Sequence, residues 1–242
     1  MRLSGKTAIV TGAGSGFGAG IAAKFVAEGA QVLVADINGD AANAVASAIG
    51  ARPWVVDVSD NTSVRRMAGK LPNPDIIVNN AGITHFPQPM EDVSDEDFDR
   101  VLDVNAKSVF LMARHFVPKM KDRRSGAILN IASTAGTSPR PNLNWYNASK
   151  GWMITATKAM AVELAPFGVR VNAINPVAGE TPLLPSFMGE DTPENRAKFL
   201  STIPLGRFST PEDIGNAAAF LCSDEASMIT GIAMDVDGGR CI

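Results

Sequence analysis

The sequence predicts an α/β fold with a doubly wound parallel sheet of about seven strands and helices on both faces. First, short apolar runs alternate with longer helical patterns along the chain, as expected for repeated strand–helix units. Second, several runs are apolar almost throughout, which is typical of strands covered by helices on both faces. Third, Gly, Pro and Asn cluster in the connections, where turns need them.

Taken in chain order, the pattern gives each element. The predicted strands cover residues 7–10, 32–35, 54–56, 76–78, 127–131, 169–174 and 233–236. The predicted helices cover residues 17–28, 41–49, 62–70, 95–121, 145–166 and 211–223. No linker or repeat interrupts them, so we expect one domain over residues 1–242. A Pro-rich segment at about 175–211 lacks strand signals, which indicates a flexible substrate loop after the sixth strand.

Composition argues against several classes of protein. Hydrophobic residues make up 45% and charged residues 19% of the 242 residues, as in ordinary globular proteins. A net charge of -3 without a basic run argues against a nucleic-acid or anionic-membrane partner. No apolar run reaches the roughly 18 residues of a membrane span, and we expect no signal peptide. A disulfide between Cys222 and Cys241 stays open, but two thiols in a reducing cytoplasm are the better interpretation.

A glycine-rich turn follows the first predicted strand and opens the first predicted helix. It reads Thr11-Gly12-Ala13-Gly14-Ser15-Gly16-Phe17-Gly18. Glycines allow a tight turn and a close approach to a pyrophosphate, and the helix N-terminus offers unpaired N–H groups. Glycines alone would also fit an ordinary turn, but the strand before them and the helix after them indicate a dinucleotide site. The predicted cofactor contacts here are Gly12, Ser15, Gly16, Phe17 and Gly18.

Asp36 ends the second predicted strand, eighteen positions after Gly18. An acidic residue at a strand end often only forms a turn, but a carboxylate here would also accept hydrogen bonds from the adenosine ribose. A 2′-phosphate would meet like charge at this point, and neither Ser15 nor Ile37 supplies a cation. With Asp36 and Ile37 as contacts, the sequence predicts NAD(H) rather than NADP(H).

The chain resembles the short-chain dehydrogenase/reductase family over essentially its whole length. The spacing Thr-Gly-x-x-x-Gly-x-Gly is joined by Asp57 after the third strand, by Asn79-Asn80-Ala81-Gly82 after the fourth, and by Val236-Asp237-Gly238-Gly239 near the end. The resemblance implies a Rossmann-type fold and hydride transfer between NAD(H) and a secondary alcohol or ketone. It also implies cofactor contacts by Asp57 and Val58 near the adenine, and by Asn79, Ala81 and Gly82.

Tyr146 and Lys150 lie four positions apart near the start of a predicted helix, so their side chains share one face. Carbonyl reduction needs a proton donor, and we expect a nearby ammonium to lower the tyrosine pKa from its ordinary value near 10. Such a pair is usually only a solvated helix face. The resemblance implies instead that Tyr146 is the acid/base, that Lys150 assists it, and that both contact the cofactor.

Two further residues complete the predicted catalytic group. Ser133 follows the fifth strand and lies thirteen positions before Tyr146, where it could cap a turn or hold a substrate oxygen. The resemblance favours the second role. It also implies that Asn105 is the fourth member, with a backbone-held water that links Lys150 to solvent; without the resemblance Asn105 indicates only a helix irregularity.

The segment after the sixth strand departs from the family pattern. The family often has Pro-Gly here, whereas this chain has Pro176-Val177. The resemblance still implies that Pro176 lies at the cofactor, that Val177 stacks against the nicotinamide, and that Thr181 bonds its carboxamide.

Other polar residues leave alternatives open. His85 could face a substrate or be a plain loop residue, and His115 is structural or interfacial; neither has a metal-ligand partner in the sequence, so we expect no metal. Arg140 is exposed or recognises a carboxylate or phosphate.

A regulator without catalysis would lose Tyr146 or Lys150, and a nucleotide-sugar epimerase would usually be longer. Within the dehydrogenases, a 3-oxoacyl-carrier-protein reductase is the nearest alternative activity, and the sequence does not determine the substrate. The resemblance also implies that the chain assembles as a homotetramer, or as a homodimer.

Overall fold

The computed structural model describes residues 1–71 and 73–242. Its described part contains a seven-stranded parallel sheet in the order β3-β2-β1-β4-β5-β6-β7. The strands are β1 (Thr7–Thr11), β2 (Gln31–Asp36), β3 (Arg52–Val55), β4 (Ile76–Asn79), β5 (Gly126–Ile131), β6 (Val169–Pro176) and β7 (Ala233–Val236). This is the predicted doubly wound, Rossmann-type sheet, and all seven predicted strands are present.

Helices cover both faces of the sheet. They are α1 (Gly16–Ala27), α2 (Gly39–Ile49), α3 (Asn61–Lys70), α4 (Asp95–Leu102), α5 (Ser108–Arg123), α6 (Asn144–Leu164), α7 (Leu184–Met188), α8 (Pro193–Leu200) and α9 (Pro211–Cys222). Short 3₁₀ turns lie at Met90–Asp92, Thr134–Gly136, Ala165–Phe167 and Asp224–Ala226.

Alternating strand residues build one core on each side of the sheet. On β1, Ala8 and Val10 pack into the core that α1 and α9 cover, with Phe25 and Ile214. Ile9, between them, packs into the opposite core with Phe116 of α5 and other residues of α3, α5 and α6. This is the side-chain period of a strand, and it explains why both kinds of position are apolar.

The predicted helix at 95–121 is wrong as one continuous element. Residues Asp103–Lys107 form a π-helical turn between α4 and α5. Asn105 lies at the centre of this turn and is fully buried. A single π turn widens a helix locally and is often found at functional sites.

The segment at 175–211 is more regular than its sequence predicts. β6 extends to Pro176, and two short helices, α7 and α8, follow. Thr192 caps α8 by accepting a hydrogen bond from the backbone N–H of Asn195 at 3.2 Å, and Pro193 stands at the first helical position. A capping Thr followed by Pro is a helix-start signal, so the sequence did carry this information.

The strand order reverses at β1, whose neighbours are β2 on one side and β4 on the other. The connections from β1 and β4 therefore leave in opposite directions and open a crevice beyond the carboxyl ends of these strands. Open α/β sheets bind ligands at such a point.

Candidate active site

A cavity of about 730 Å³ lies at this carboxyl edge of the sheet. One end is lined by the glycine-rich turn and the ends of β2 and β3, and the other by the start of α6 and the segment after β6. Most of the sequence-predicted cofactor and catalytic residues therefore meet at one continuous cavity rather than at two.

The glycine-rich turn packs directly against the segment after β4. Gly12 has φ +61°, and a Cβ on it would lie 2.8 Å from the Cα of Ala81. The side-chain amide of Asn80 donates to the backbone carbonyls of Thr11 and Gly12, at 2.9 and 3.1 Å. Only a glycine fits this close approach without a shift of the backbone. These contacts therefore fix the glycine-rich turn at the edge of the cavity.

Asp36 is fixed at the end of β2. Its Oδ2 accepts a hydrogen bond from the backbone N–H of Gly14 at 2.8 Å, and its Oδ1 accepts one from Asn38 at 2.9 Å. The carboxylate lines the cavity together with Ser15 and Ile37. It therefore places a negative charge beside the glycine-rich turn, at the point where the sequence predicts ribose recognition.

Most predicted cofactor contacts line the cavity. These are Gly12, Ser15, Gly16, Phe17, Asp36, Ile37, Asp57, Val58, Ala81, Gly82, Tyr146, Lys150, Pro176, Val177 and Thr181. Gly18 and Asn79 are not among the lining residues. Gly18 packs beneath the turn against the carbonyl of Gly12, and the amide of Asn79 donates to Asn130 Oδ1 on the neighbouring strand at 2.8 Å. Both support the site from behind.

Tyr146 and Lys150 lie one turn apart on α6 and are 5% and 4% exposed. The Lys150 ammonium donates to the backbone carbonyl of Ile131 at 2.8 Å, and its Nζ lies 5.9 Å from the centre of the Tyr146 ring. Ser133, at the start of the turn after β5, lines the same cavity. The predicted Ser–Tyr–Lys group is thus assembled in one wall.

The ionisation of Tyr146 differs from the sequence-based expectation. Burial raises the pKa of Tyr146 to about 12, whereas the Ser133 hydroxyl and then the Arg140 guanidinium act in the lowering direction. Burial also lowers the pKa of Lys150 to about 8. Desolvation of the phenolate therefore outweighs the lowering expected from the ammonium, and the phenol is a protonated donor at neutral pH.

Asn105 lies behind the cavity wall and joins two of its parts. Its Oδ1 accepts from the backbone N–H of Ile83 and its Nδ2 donates to the carbonyl of Ile83, both at 2.9 Å. Nδ2 also donates to Ser149 Oγ at 3.0 Å, and Ser149 Oγ donates to the carbonyl of Tyr146 at 2.7 Å. The side chain therefore positions the catalytic helix against the segment after β4, a role that sequence reasoning missed.

Two aromatic residues of the segment after β6 also line the cavity, and the sequence did not indicate them. The ring of Phe187, on α7, lies 5.2 Å from the ring of Tyr146, centre to centre. Phe199, on α8, lies in the same wall. Loop residues have no periodic pattern, so only the fold shows that the Phe187 ring lies against Tyr146 and that Phe199 lines the same cavity.

The two undecided residues are now placed. Arg140 lines the cavity, whereas His85 is buried with its Nδ1 2.8 Å from the carbonyl of Phe86 and does not line it. His115 lies on α5 with its Nε2 2.9 Å from Asn61 Oδ1.

Cys222 and Cys241 are free thiols. A cluster of Asp235, Asp237 and Cys241 lies outside the cavity lining.

Comparison with known proteins decides the family. A family model described as Enoyl-(Acyl carrier protein) reductase matches residues 12–240, and several relatives are similar over the full chain. The chain belongs to the short-chain dehydrogenase/reductase family. It is therefore an oxidoreductase of that family.

Three relatives illustrate the match. The chain is 48% identical to 4-formylbenzenesulfonate dehydrogenase of Comamonas testosteroni, over all of both chains. It is 38% identical to 2-dehydro-3-deoxy-L-rhamnonate dehydrogenase (NAD(+)) of a Sphingomonas species, covering 99% of this chain and 96% of the relative. A crystal structure of a 3-ketoacyl-(acyl-carrier-protein) reductase from Brucella melitensis complexed with NADH shares 50% identity and superposes with a TM-score of 0.93, covering 99% and 100% of the two chains.

None of the described helices is both long enough and apolar enough to span a membrane.

Proposed function

We propose that this short-chain dehydrogenase/reductase transfers a hydride between NAD(H) and a secondary alcohol or ketone, with Tyr146 as the acid/base. One observation carries the proposal: a buried tyrosine shares one cavity with a glycine-rich turn and a carboxylate at the end of β2. A proton donor beside a dinucleotide site is the arrangement that carbonyl reduction requires.

The residues of the chain fit the dinucleotide. The open glycine-rich turn, whose Gly12 carries no Cβ where Ala81 approaches, would receive the pyrophosphate at the N-terminus of α1. Asp36 would accept the ribose hydroxyls, and Asp57 with Val58 would flank the adenine. Pro176, Val177 and Thr181 would contact the nicotinamide end. When bound, the nicotinamide supplies the chemistry of hydride transfer.

The catalytic group would act on the substrate oxygen. Ser133 would donate a hydrogen bond that orients the carbonyl, and the Tyr146 phenol would give its proton to the developing alkoxide. In the oxidative direction the phenolate would take the alcohol proton back. Lys150 would stabilise that phenolate, and Asn105 would keep α6 in register through Ser149.

The preference for NAD(H) over NADP(H) is part of the proposal. Asp36 already accepts two backbone hydrogen bonds, so a 2′-phosphate placed beside it would meet a fixed negative charge. One relative is named for NAD(+), and a neighbouring structure carries NADH. Both are consistent with this preference.

A second candidate reaction is the reduction of a 3-oxoacyl group carried on acyl-carrier protein. The observation that favours it is the 50% identity to the Brucella melitensis 3-ketoacyl reductase. It would use the same catalytic group and differ only in the substrate.

We also propose that the chain is one cytoplasmic domain that assembles as a homotetramer, with a homodimer as the alternative. Large apolar side chains are exposed on α5 and α6, namely Phe110 at 48%, Trp152 at 44% and Val162 at 80%. Exposed apolar surface of this kind usually marks an interface.

A substrate screen tests the proposal. Purified protein is assayed with NAD(H) and NADP(H) against secondary alcohols, sugars, polyols and 3-oxoacyl thioesters. We expect turnover of at least one secondary alcohol or ketone with NAD(H). Turnover of 3-oxoacyl thioesters alone would favour the second reaction, and no nicotinamide-dependent turnover of any class would contradict both.

A further inference from the structure

Arg140 has a defined place in the cavity wall, close to the catalytic tyrosine. Its backbone carbonyl accepts a hydrogen bond from Asn147 Nδ2 at 2.7 Å, and Asn147 directly follows Tyr146. Its guanidinium carbon lies 4.1 Å from the centre of the Phe199 ring. The side chain is half-buried and lines the cavity. A planar cation is therefore stacked on an aromatic ring at the substrate end of the site.

The charge of Arg140 is not neutralised by the chain. Among the described residues, no carboxylate lies within 4.0 Å of its guanidinium, and no hydrogen bond from that group to a protein oxygen is present. Burial, and then the charge of Arg240, lower the pKa of Arg140 to about 10, which leaves it charged at neutral pH. Among the described residues, the guanidinium of Arg240 reaches only the hydroxyl of Ser138, at 3.3 Å, and its buried Nε has no partner there.

Other arginines of the chain, exposed or partly buried, show how a guanidinium is satisfied when its role is structural. Arg207 makes a two-bond fork with Asp213, and Arg196 makes one with Asp191. Arg170 donates three bonds, at 2.8, 3.1 and 2.9 Å, to the carbonyls of Leu221, Ile229 and Ser223. Arg140 has no such partners in the described structure. Because a desolvated cation without an anion is costly, the missing partner is best supplied by a ligand.

We propose that Arg140 binds an oxyanion group, carboxylate or sulfonate, on the substrate, and that the cavity therefore selects carbonyl and alcohol compounds with an acidic group. The rings of Phe187 and Phe199 offer apolar faces for the body of such a molecule, between the anion and the carbon that reacts beside Tyr146. A guanidinium matches an oxyanion with two parallel hydrogen bonds. The inference rests on the proposed function for the reacting end and concerns only the remote end.

The turnover arm compares matched ketones with NADH. The anionic substrates are 4-acetylbenzoate and 4-acetylbenzenesulfonate, and the neutral match is methyl 4-acetylbenzoate. We expect wild type to prefer the anionic members by about tenfold or more in kcat/KM, the order expected for a charge-assisted hydrogen bond. Arg140→Gln should abolish that ratio, and Arg140→Lys should retain part of it. The ratio is the readout because Arg140 also influences the ionisation of Tyr146.

The binding arm does not depend on catalysis. Titration calorimetry with 4-methylbenzoate, 4-methylbenzenesulfonate and neutral 4-methylbenzamide is carried out on wild type and Arg140→Gln in the presence of NADH. We expect the two anions to bind wild type more tightly than the amide, the difference to weaken with salt, and the difference to vanish in the variant. Comparing carboxylate with sulfonate distinguishes the two anion sources.

Arg114→Gln is the matched control. Arg114 also stacks on an aromatic ring, with its guanidinium carbon 4.4 Å from the centre of Phe110, but it lies outside the cavity lining, so its loss should change neither arm. Anion binding without any turnover would support the inference and contradict the proposed function. Turnover without an anion preference, or with a preference that survives Arg140→Gln, would overturn the inference and leave the proposed function standing. If the wild-type protein shows neither turnover nor preferential anion binding, the inference and the proposed function are both overturned.

Discussion

Tyr146 is the only tyrosine of the chain, so its ionisation can be measured directly. Burial raises the pKa of Tyr146 to about 12, because the phenolate is the charged form and loses its hydration. We expect ultraviolet titration of the folded protein to show less than half of the phenol ionised at pH 10, where an ordinary tyrosine is about half ionised. Denatured protein should give the ordinary value and Tyr146→Phe no signal. A folded-state midpoint below 10 would contradict the dominance of burial over the groups that lower this pKa.

Asp36 should determine the choice of cofactor. We expect kcat/KM with NAD(H) to exceed that with NADP(H) by at least about tenfold, or roughly 1.4 kcal/mol. The double change Asp36→Ala with Ile37→Arg removes the fixed negative charge and adds a cation for a 2′-phosphate, so the preference should move toward NADP(H). Asp40→Ala, an exposed carboxylate on α2, is the control. Equal kcat/KM for the two cofactors in wild type would refute this assignment.

The π turn at Asp103–Lys107 shows how an irregular element can carry a function. Its Asn105 holds Ile83 on one side and Ser149 on the other. We expect Asn105→Ala to lower kcat severalfold with little change in NAD(H) affinity, and to destabilise the fold by about 1–3 kcal/mol through unpaired buried groups. Asn105→Asp should be tolerated no better, since it would bury a carboxylate oxygen against the Ile83 carbonyl to which Nδ2 now donates.

Asn172→Ala is the matched control for that prediction. Asn172 is also buried and hydrogen-bonded, to Ile229 and Ile232, but it lies outside the cavity lining. Urea unfolding should show a similar loss of stability in both alanine variants, and the loss of kcat should be confined to Asn105→Ala. If both variants lose the same fraction of kcat, the role of Asn105 is merely structural.

The sequence predicted the regular elements well and the local exceptions poorly. The central strands followed from apolar runs, because a strand covered on both faces needs apolar residues at every position, whereas the edge strand β3 is largely exposed. The π turn was missed because it keeps the helical pattern of residues 95–121 and only adds a wider turn. α7 and α8 were missed because their Pro-rich segment was treated as irregular, although Thr192 and Pro193 begin a helix.

At the site, the sequence identified which residues line the cavity but not how their pKa values are shifted. The glycine-rich turn, Asp36, Ser133, Tyr146 and Lys150 line one cavity as expected. Ionisation depends on burial, which sequence spacing does not report, and this is why the direction of the Tyr146 pKa shift was wrong. Neither spacing nor pattern indicated that Phe187 and Phe199 would line this cavity, since they come from the segment after β6.

The oligomeric state is the prediction that concerns the whole molecule. We expect light scattering at micromolar concentration to give a mass near four times the 25.4 kDa of one chain, because the exposed apolar side chains on α5 and α6 need a partner. Charged substitutions at Phe110 and Trp152 should dissociate the assembly, whereas one at the exposed Leu205, outside α5 and α6, should not. A measured mass equal to that of one chain would contradict the proposed assembly.

The central claim is that the Tyr146 hydroxyl transfers the proton, while the cofactor is held mainly by other residues of the cavity. It is tested most directly by comparing Tyr146→Phe with wild type in parallel turnover and NADH-titration experiments. The lost hydroxyl acts on the substrate oxygen and not on the nucleotide, so turnover should fall by a factor of about a hundred or more while NADH affinity stays nearly unchanged. Near-normal turnover in Tyr146→Phe would contradict the assignment of the acid/base.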